Sequence, residues 1–170
     1  MTVTDPHDGT VLDLRDKRIT AGVIMAGPGA GEGLAGTAAE RFPDLAGTSF
    51  SEMTEQALVV VGDNGHNPVF TDQEDWRADA YYRSPGQNKT LLTLFGAEHM
   101  RGGVSGYDAG ETTDENPERV AAVRALVRAY LRSALSPDDP GADAGAALAA
   151  QSDPWGRIDT KNDVVGPARL

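Results

Sequence analysis

The stretch that decides the fold of this chain is a short apolar run that ends in a histidine: Leu91-Leu92-Thr93-Leu94-Phe95-Gly96-Ala97-Glu98-His99. A run of this length, apolar on both faces, is typical of a strand buried in a parallel sheet. The glycine that follows it marks the turn into a loop. The pattern therefore predicts that a buried strand delivers His99 onto a glycine-flanked loop, where an imidazole is well placed to act as a general base.

Two earlier apolar runs have the same character. Ile19 to Met25 ends at Gly27-Pro28-Gly29, and Ala57 to Val61 ends in Gly62-Asp63-Asn64-Gly65-His66. Both runs are short and are closed by turn-forming residues, as expected of strands in a sheet that helices cover. The sequence therefore predicts an α/β fold with three parallel strands and flanking helices. Such a sheet would leave an apolar edge in need of a partner.

Helical patterns lie between and after these strands. A short helix is expected around Leu34 to Phe42, and another from about Gln73 to Arg83. The clearest helix runs from Glu118 to Leu135, because apolar residues recur there at helical spacing. Asn116 is a good N-cap for it, and Pro117 suits the first helical position.

The composition of the 170 residues restricts the class of protein. The formal net charge is −11, which argues against binding to nucleic acid or to an anionic membrane surface. The chain contains no cysteine, so disulfides, thiolate nucleophiles and zinc–thiolate sites are excluded. The N-terminus lacks the pattern of a signal peptide, and no apolar run approaches the roughly 20 residues of a membrane span. We expect a cytoplasmic protein with one domain over residues 1–136 and a polar, flexible tail over 137–170.

The three strand-like runs, in this order and with the motifs that end them, resemble the last three sheet strands of an α/β-hydrolase. The resemblance covers about residues 10–135 and is nearest to the dienelactone-hydrolase and chlorophyllase-like group of bacterial serine esterases. The loop from Gly102 to Asp108 fits the same group. The resemblance implies hydrolysis of carboxylic esters or lactones through a Ser-His-acid triad without a cofactor. It implies that His99 is the catalytic histidine and makes Asp63 a candidate for the acid.

Two departures from the family pattern bear on activity. A serine on a Gly-x-Ser-x-Gly elbow occurs nowhere in the 170 residues, and Ser105 follows the histidine, against the family's order. Gly65 stands where the family presents the acid that orients the histidine, so Asp63 is only one possible substitute. Three further acidic residues are the others: Asp72, Glu74 and Asp75. Without a serine encoded elsewhere, we expect no serine-hydrolase turnover from this chain. Loss of the orienting acid would by itself cost about 10⁴ in rate.

Two other interpretations stay open. The first is a non-catalytic binding or assembly module that pairs its exposed sheet edge with a second copy or with a complementing protein. The second is a dinucleotide-binding fragment, because Gly31-Glu32-Gly33-Leu34-Ala35-Gly36 matches Gly-x-Gly-x-x-Gly and Asp63 ends the next strand. No metal site is expected, because neither His66 with Asp63 nor His7 with Asp8 has a third ligand at recognisable spacing.

Overall fold

A four-stranded sheet forms the centre of the computed structural model, which describes residues 2–4, 7–13, 16–99, 101–104, 114–136, 138 and 155–161. The strands lie in chain order: β3 (Ala21–Met25), β4 (Gln56–Gly62), β5 (Lys89–Leu94) and β6 (Gly156–Thr160). β3, β4 and β5 run parallel, and β6 pairs with β5 in the antiparallel direction. The α/β class is therefore confirmed, with a mostly parallel sheet.

The sheet has four strands rather than the three expected from the sequence. β6 lies within the segment 137–170 that was expected to be a polar tail, and its one apolar residue, Ile158, is half-buried against the core. An edge strand needs only a few apolar residues, so β6 lacks the continuous apolar run that marks a buried strand. β6 covers the outer side of β5. Among the described strands, β3 has a neighbour on one side only and forms the other edge of the sheet.

The remaining elements in the described residues are a hairpin, four α-helices and two 3-10 turns, at Gly31–Gly33 and Trp76–Ala78. The hairpin is formed by β1 (Thr2–Thr4) and β2 (Val11–Asp13), and the helices are α1 (Gly36–Arg41), α2 (Pro43–Ala46), α3 (Asp79–Tyr82) and α4 (Pro117–Leu135). The helix expected over 73–83 is reduced to the four residues of α3 and a preceding 3-10 turn. α4 confirms the clearest helix prediction, and the Asn116 side chain caps it by accepting a hydrogen bond from the Arg119 amide at 2.9 Å.

Apolar side chains fill both faces of the sheet. Alternate residues of β4 point to opposite faces, so Leu58 and Val60 belong to one cluster and Val59 and Val61 to the other. α4 covers the first cluster with three buried residues, Val123, Leu126 and Tyr130. The segment around α3 covers the second with Ala78, Ala80 and Tyr81. Burial of both faces explains why the strands appear in the sequence as continuous apolar runs.

No helix in the described ranges is long and apolar enough to cross a membrane.

Candidate functional site

The segments that follow β3, β4 and β5 enclose a pocket of about 610 Å³. Because the three strands are parallel, these segments meet at one edge of the sheet, where α/β proteins commonly bind ligands. The pocket wall is mixed apolar and polar: Ala26, Pro28, Leu45, Asn67, Phe70, Trp76, Arg77 and His99. A cavity of about 410 Å³ at the opposite edge is lined by Thr54, Pro85, Gly86, Gln87 and Asn88, none of which titrates near neutral pH.

His99 reaches this pocket from the carboxyl end of β5, and its side chain is exposed. The turn before it packs against the end of β4. A Cβ atom added to Gly62 would lie 2.0 Å from the carbonyl oxygen of Ala97, so a side chain at the end of β4 would push this turn away. The glycine that ends β4 is thus required for the position of the histidine-bearing segment.

Asp63 lies at the same edge of the sheet but does not line the pocket. Its amide donates to the Leu94 carbonyl at 3.1 Å, and its side chain is exposed. Gly65, where the resemblance expects the acid, is buried. The three other acidic candidates are exposed between β4 and α3: Asp72, Glu74 and Asp75. The described pocket wall therefore contains the histidine without any of the candidate acids, and the acidic partner of His99 stays a prediction.

Arg77 is a pocket residue that sequence reasoning missed. Its Nε donates to the Gly65 carbonyl at 3.0 Å and its Nη1 to the Ala26 carbonyl at 2.9 Å, so the guanidinium joins the segments that follow β4 and β3. Burial lowers the pKa of Arg77. No carboxylate among the described residues pairs with it. A guanidinium and an imidazole therefore share the pocket wall, which favours ligands that carry acceptor oxygens.

No sequence signal marks Arg77 as part of a site. A single arginine inside a helical pattern normally faces solvent. Arg77 instead follows the buried Trp76, and its Cζ lies 5.9 Å from the centre of the Trp76 ring. What makes it a pocket residue is the packing of Trp76, which is buried and donates from Nε1 to the Ala30 carbonyl at 2.8 Å. That anchoring turns the neighbouring side chain toward the ends of β3 and β4.

The histidine loop, defined here by its described residues 98, 99, 101 and 102, contains positive φ angles. Arg101 has a φ of 52°, Gly102 of 88° and the following Gly103 of 95°. The left-handed region is open to glycine but disfavoured for arginine. Arg101 is buried, and its pKa is lowered by burial and by the nearby charge of Arg77. Its Nη1 donates to the His99 carbonyl, which ties the loop to itself.

The glycine-rich segment over 31–36 packs within the protein. A Cβ atom on Gly31 would lie 2.0 Å from the Ala46 carbonyl oxygen, and the Gly31 amide donates to the Thr48 carbonyl at 2.9 Å. The amide of Ala35 donates to the Phe70 carbonyl at 2.8 Å. Packing and internal hydrogen bonds thus account for this segment without a nucleotide, and the dinucleotide interpretation stays a prediction.

The remaining candidates give no further site. The Nε2 atom of His66 hydrogen-bonds to the Thr71 carbonyl at 2.9 Å, and His7 is exposed. In the part of the chain that the structure describes, no group of three or more His, Asp or Glu side chains could hold a metal ion. Ser105 lies outside the described residues. Comparison with protein-family models, with curated proteins and with solved structures finds no match to this chain.

Proposed function

We propose that this chain is the histidine-bearing, C-terminal portion of an α/β-hydrolase-like serine esterase that acts on carboxylic esters or lactones. The observation that carries the proposal is the presence of His99 in the wall of the pocket at the carboxyl edge of the sheet. In the reaction, a serine hydroxyl attacks the ester carbonyl while the imidazole of His99 takes the serine proton. The imidazole then returns that proton to the leaving alkoxide, and water repeats the cycle on the acyl-serine.

The outer edge of β3, which pairs with no other described strand, is a suitable position for a strand that carries the missing serine. A further strand that paired in parallel with β3 would end at the same edge of the sheet as the pocket. A turn at the end of that strand would adjoin Ala26, which follows β3 and lines the pocket. We therefore assign the nucleophile to a strand beside β3, contributed by sequence outside these 170 residues. An in-frame Gly-x-Ser-x-Gly motif in the DNA immediately upstream of Met1 would support this assignment.

Chemical labelling tests whether the chain carries a nucleophile of its own. A fluorophosphonate probe reacts with an activated serine, and we expect no stoichiometric labelling of the purified chain because it has no serine elbow. Labelling that disappears in Ser105→Ala would contradict the proposal, since it would place the nucleophile after the histidine.

The role of His99 is tested with an activated ester. An imidazole in a pocket catalyses p-nitrophenyl butyrate hydrolysis slowly, with saturation, and p-nitrophenolate release is measured by absorbance. We expect His99→Gln to abolish the saturable component. The matched control is His7→Gln, because His7 is an exposed histidine of the N-terminal hairpin, and this variant is expected to keep the rate. Equal saturable rates in wild type and His99→Gln would remove the support for the proposal.

The edge of β3 also favours a second candidate, a module that assembles through this strand. Met25 at the end of β3 is 39% exposed, and unpaired edges with apolar side chains associate readily. Sedimentation should then show dimers that Met25→Lys dissociates, because a charged edge residue opposes strand pairing. A wild-type chain that sediments strictly as a monomer at high concentration would exclude this candidate.

A further inference from the structure

A single carboxylate ties both ends of the histidine loop. One side-chain oxygen of Asp114, Oδ2, accepts hydrogen bonds from the amide of Glu98 at 2.9 Å and from the amide of Gly102 at 3.0 Å. These two amides stand on either side of His99. We propose that Asp114 is a positioning residue that holds His99 in the pocket wall, an inference that rests on the proposed function of His99 as the base.

Arg119 fixes the carboxylate in turn. Its Nη1 lies 3.0 Å from Oδ2 of Asp114, and its Nη2 donates to the carbonyl of Phe95 at 3.2 Å, just after β5. Only 8% of the Asp114 side chain and 10% of the Arg119 side chain are exposed. Further hydrogen bonds stabilise a buried ion pair, and the two loop amides supply such bonds to Oδ2. Oδ1 of Asp114 and Nε of Arg119 are buried without a partner among the described residues, so the pair relies on the bonds at Oδ2. The loop and the ion pair therefore depend on each other.

The N-terminus of α4 connects this arrangement to the core. The amide of Asn116, the N-cap of the helix, donates to the carbonyl of Gly102 at 3.0 Å. The buried face of α4 packs on β4 and β5 through Leu126 and its neighbours. The histidine loop is thus attached to a helix that the sheet already holds in place. Movement of the loop relative to the pocket requires these bonds to break.

The loop needs such external bonds because its own backbone is disfavoured. Arg101 occupies the left-handed region, which costs free energy for any residue with a Cβ atom. A general base must also stay within hydrogen-bond reach of the proton that it takes, so displacement of the imidazole by about 1 Å lowers the rate strongly. Asp114 supplies the missing stabilisation at the two points that bracket His99.

The test compares two buried carboxylates of the same kind. Asp114→Asn removes the negative charge that accepts the two loop bonds, and Asp79→Asn is the matched control. Asp79 is also buried, accepts a hydrogen bond from the Ala30 amide at 2.9 Å and pairs with Nε of Arg83 at 3.0 Å, but it does not touch the histidine loop. Both variants lose a buried charged acceptor, so a general loss of stability affects both.

Hydrogen exchange and NMR read the position of the loop directly. In Asp114→Asn we expect the amides of Glu98 and Gly102 to exchange about tenfold faster or more, relative to amides of β4, because each loses a charge-assisted bond. We also expect the ring Cε1–H resonance of His99 to broaden or split. Asp79→Asn should show neither change. With p-nitrophenyl butyrate, Asp114→Asn should lower the His99-dependent kcat about tenfold and leave KM unchanged.

The proposal would be overturned if Asp114→Asn and Asp79→Asn gave the same exchange rates for the amides of Glu98 and Gly102 and the same His99 ring resonance. If Asp114→Asn does not fold, Asp114→Glu replaces it, because this variant keeps the charge but moves the carboxylate away from the two loop amides. The same two NMR changes are expected there, and their absence would overturn the proposal equally. If wild type shows no His99-dependent ester hydrolysis, the proposed function fails. Exchange and the ring resonance still decide whether Asp114 positions the histidine.

Discussion

Replacement of Arg77 by methionine would test how the pocket is held together. The Arg77 guanidinium bonds the carbonyls of Ala26 and Gly65 at 2.9 and 3.0 Å, and these carbonyls belong to segments that follow different strands. Methionine keeps an apolar stem beside Trp76 but cannot donate a hydrogen bond. Arg77→Met should therefore leave both carbonyls without this donor and loosen the wall of the pocket.

The magnitude follows from the two bonds and from the cost of burying the charge. A hydrogen bond from a charged donor contributes about 1.5–3 kcal/mol, so the two well-formed bonds contribute about 3–6 kcal/mol. The contact between Nη1 and the Gly27 carbonyl, at 3.5 Å, is too long to add to this. Burial lowers the pKa of Arg77, which means that its charge is partly desolvated, and removal of the charge recovers some of that cost. We expect a net loss of about 2–4 kcal/mol.

Urea unfolding measures this loss, with the wild-type slope as a check that the transition stays two-state. The matched control is Arg157→Met, because Arg157 is an exposed arginine that pairs with Asp159 at 2.8 Å. Exposed ion pairs contribute about 0–1 kcal/mol, so this control should be nearly as stable as wild type. A loss below about 1 kcal/mol in Arg77→Met would refute the reasoning, since the two carbonyl bonds would then contribute no more than a surface pair.

Four further predictions concern how the strands and helices pack together. Gly62→Ala should destabilise the fold by about 3 kcal/mol, because the added methyl group displaces the turn before His99. The control Gly22→Ala should be neutral, because a Cβ there would meet nothing within 4 Å. Equal urea midpoints for the two variants would contradict this prediction. The ammonium of Lys161, just after β6, bonds the carbonyl of Tyr81 at 3.0 Å and so holds the end of this strand. Lys161→Met should therefore speed amide exchange in β6. Unchanged exchange would show that this bond does not hold the strand. Tyr130→Phe should raise stability by about 1 kcal/mol, because no described residue pairs with the buried Tyr130 hydroxyl. Burial raises the pKa of Tyr130 from 10.0 to about 12. The wild-type free energy of unfolding should therefore be constant below pH 10 and fall by about 2–3 kcal/mol between pH 10 and 12. The same fall in Tyr130→Phe would exclude Tyr130 as its cause.

The central strands and α4 could be predicted because their sequence patterns follow from local burial. β4 is buried on both faces, so every residue from Ala57 to Val61 is apolar and the strand is visible in the sequence. α4 buries one stripe and carries an N-cap, which fixes both its face and its start. β6 is different because it is an edge strand with little apolar content, and its position depends on pairing with β5.

The candidate site could be predicted only in part, for a related reason. The place of His99 after β5 follows from the order of residues along one strand and loop. Arg77 and Asp114 act across the fold instead: the Arg77 guanidinium bonds a carbonyl 51 positions away, and Asp114 bonds an amide 16 positions away. Neither residue belongs to a spacing pattern, since their partners are backbone groups that any sequence would carry.

His99 would need two kinds of support to act as a base, and different groups supply them. A histidine base needs its backbone held in place, and it also needs a ring oriented toward the nucleophile. The first task belongs to Asp114, whose described bonds go to backbone amides and to Arg119. The second task requires a group that reaches the ring, and Gly65 removes the carboxylate that the resemblance would place there. The resemblance makes Asp63, which lies at the same sheet edge, the candidate for this group, and we expect it to orient the ring. The loop that carries His99 is then already fixed by α4.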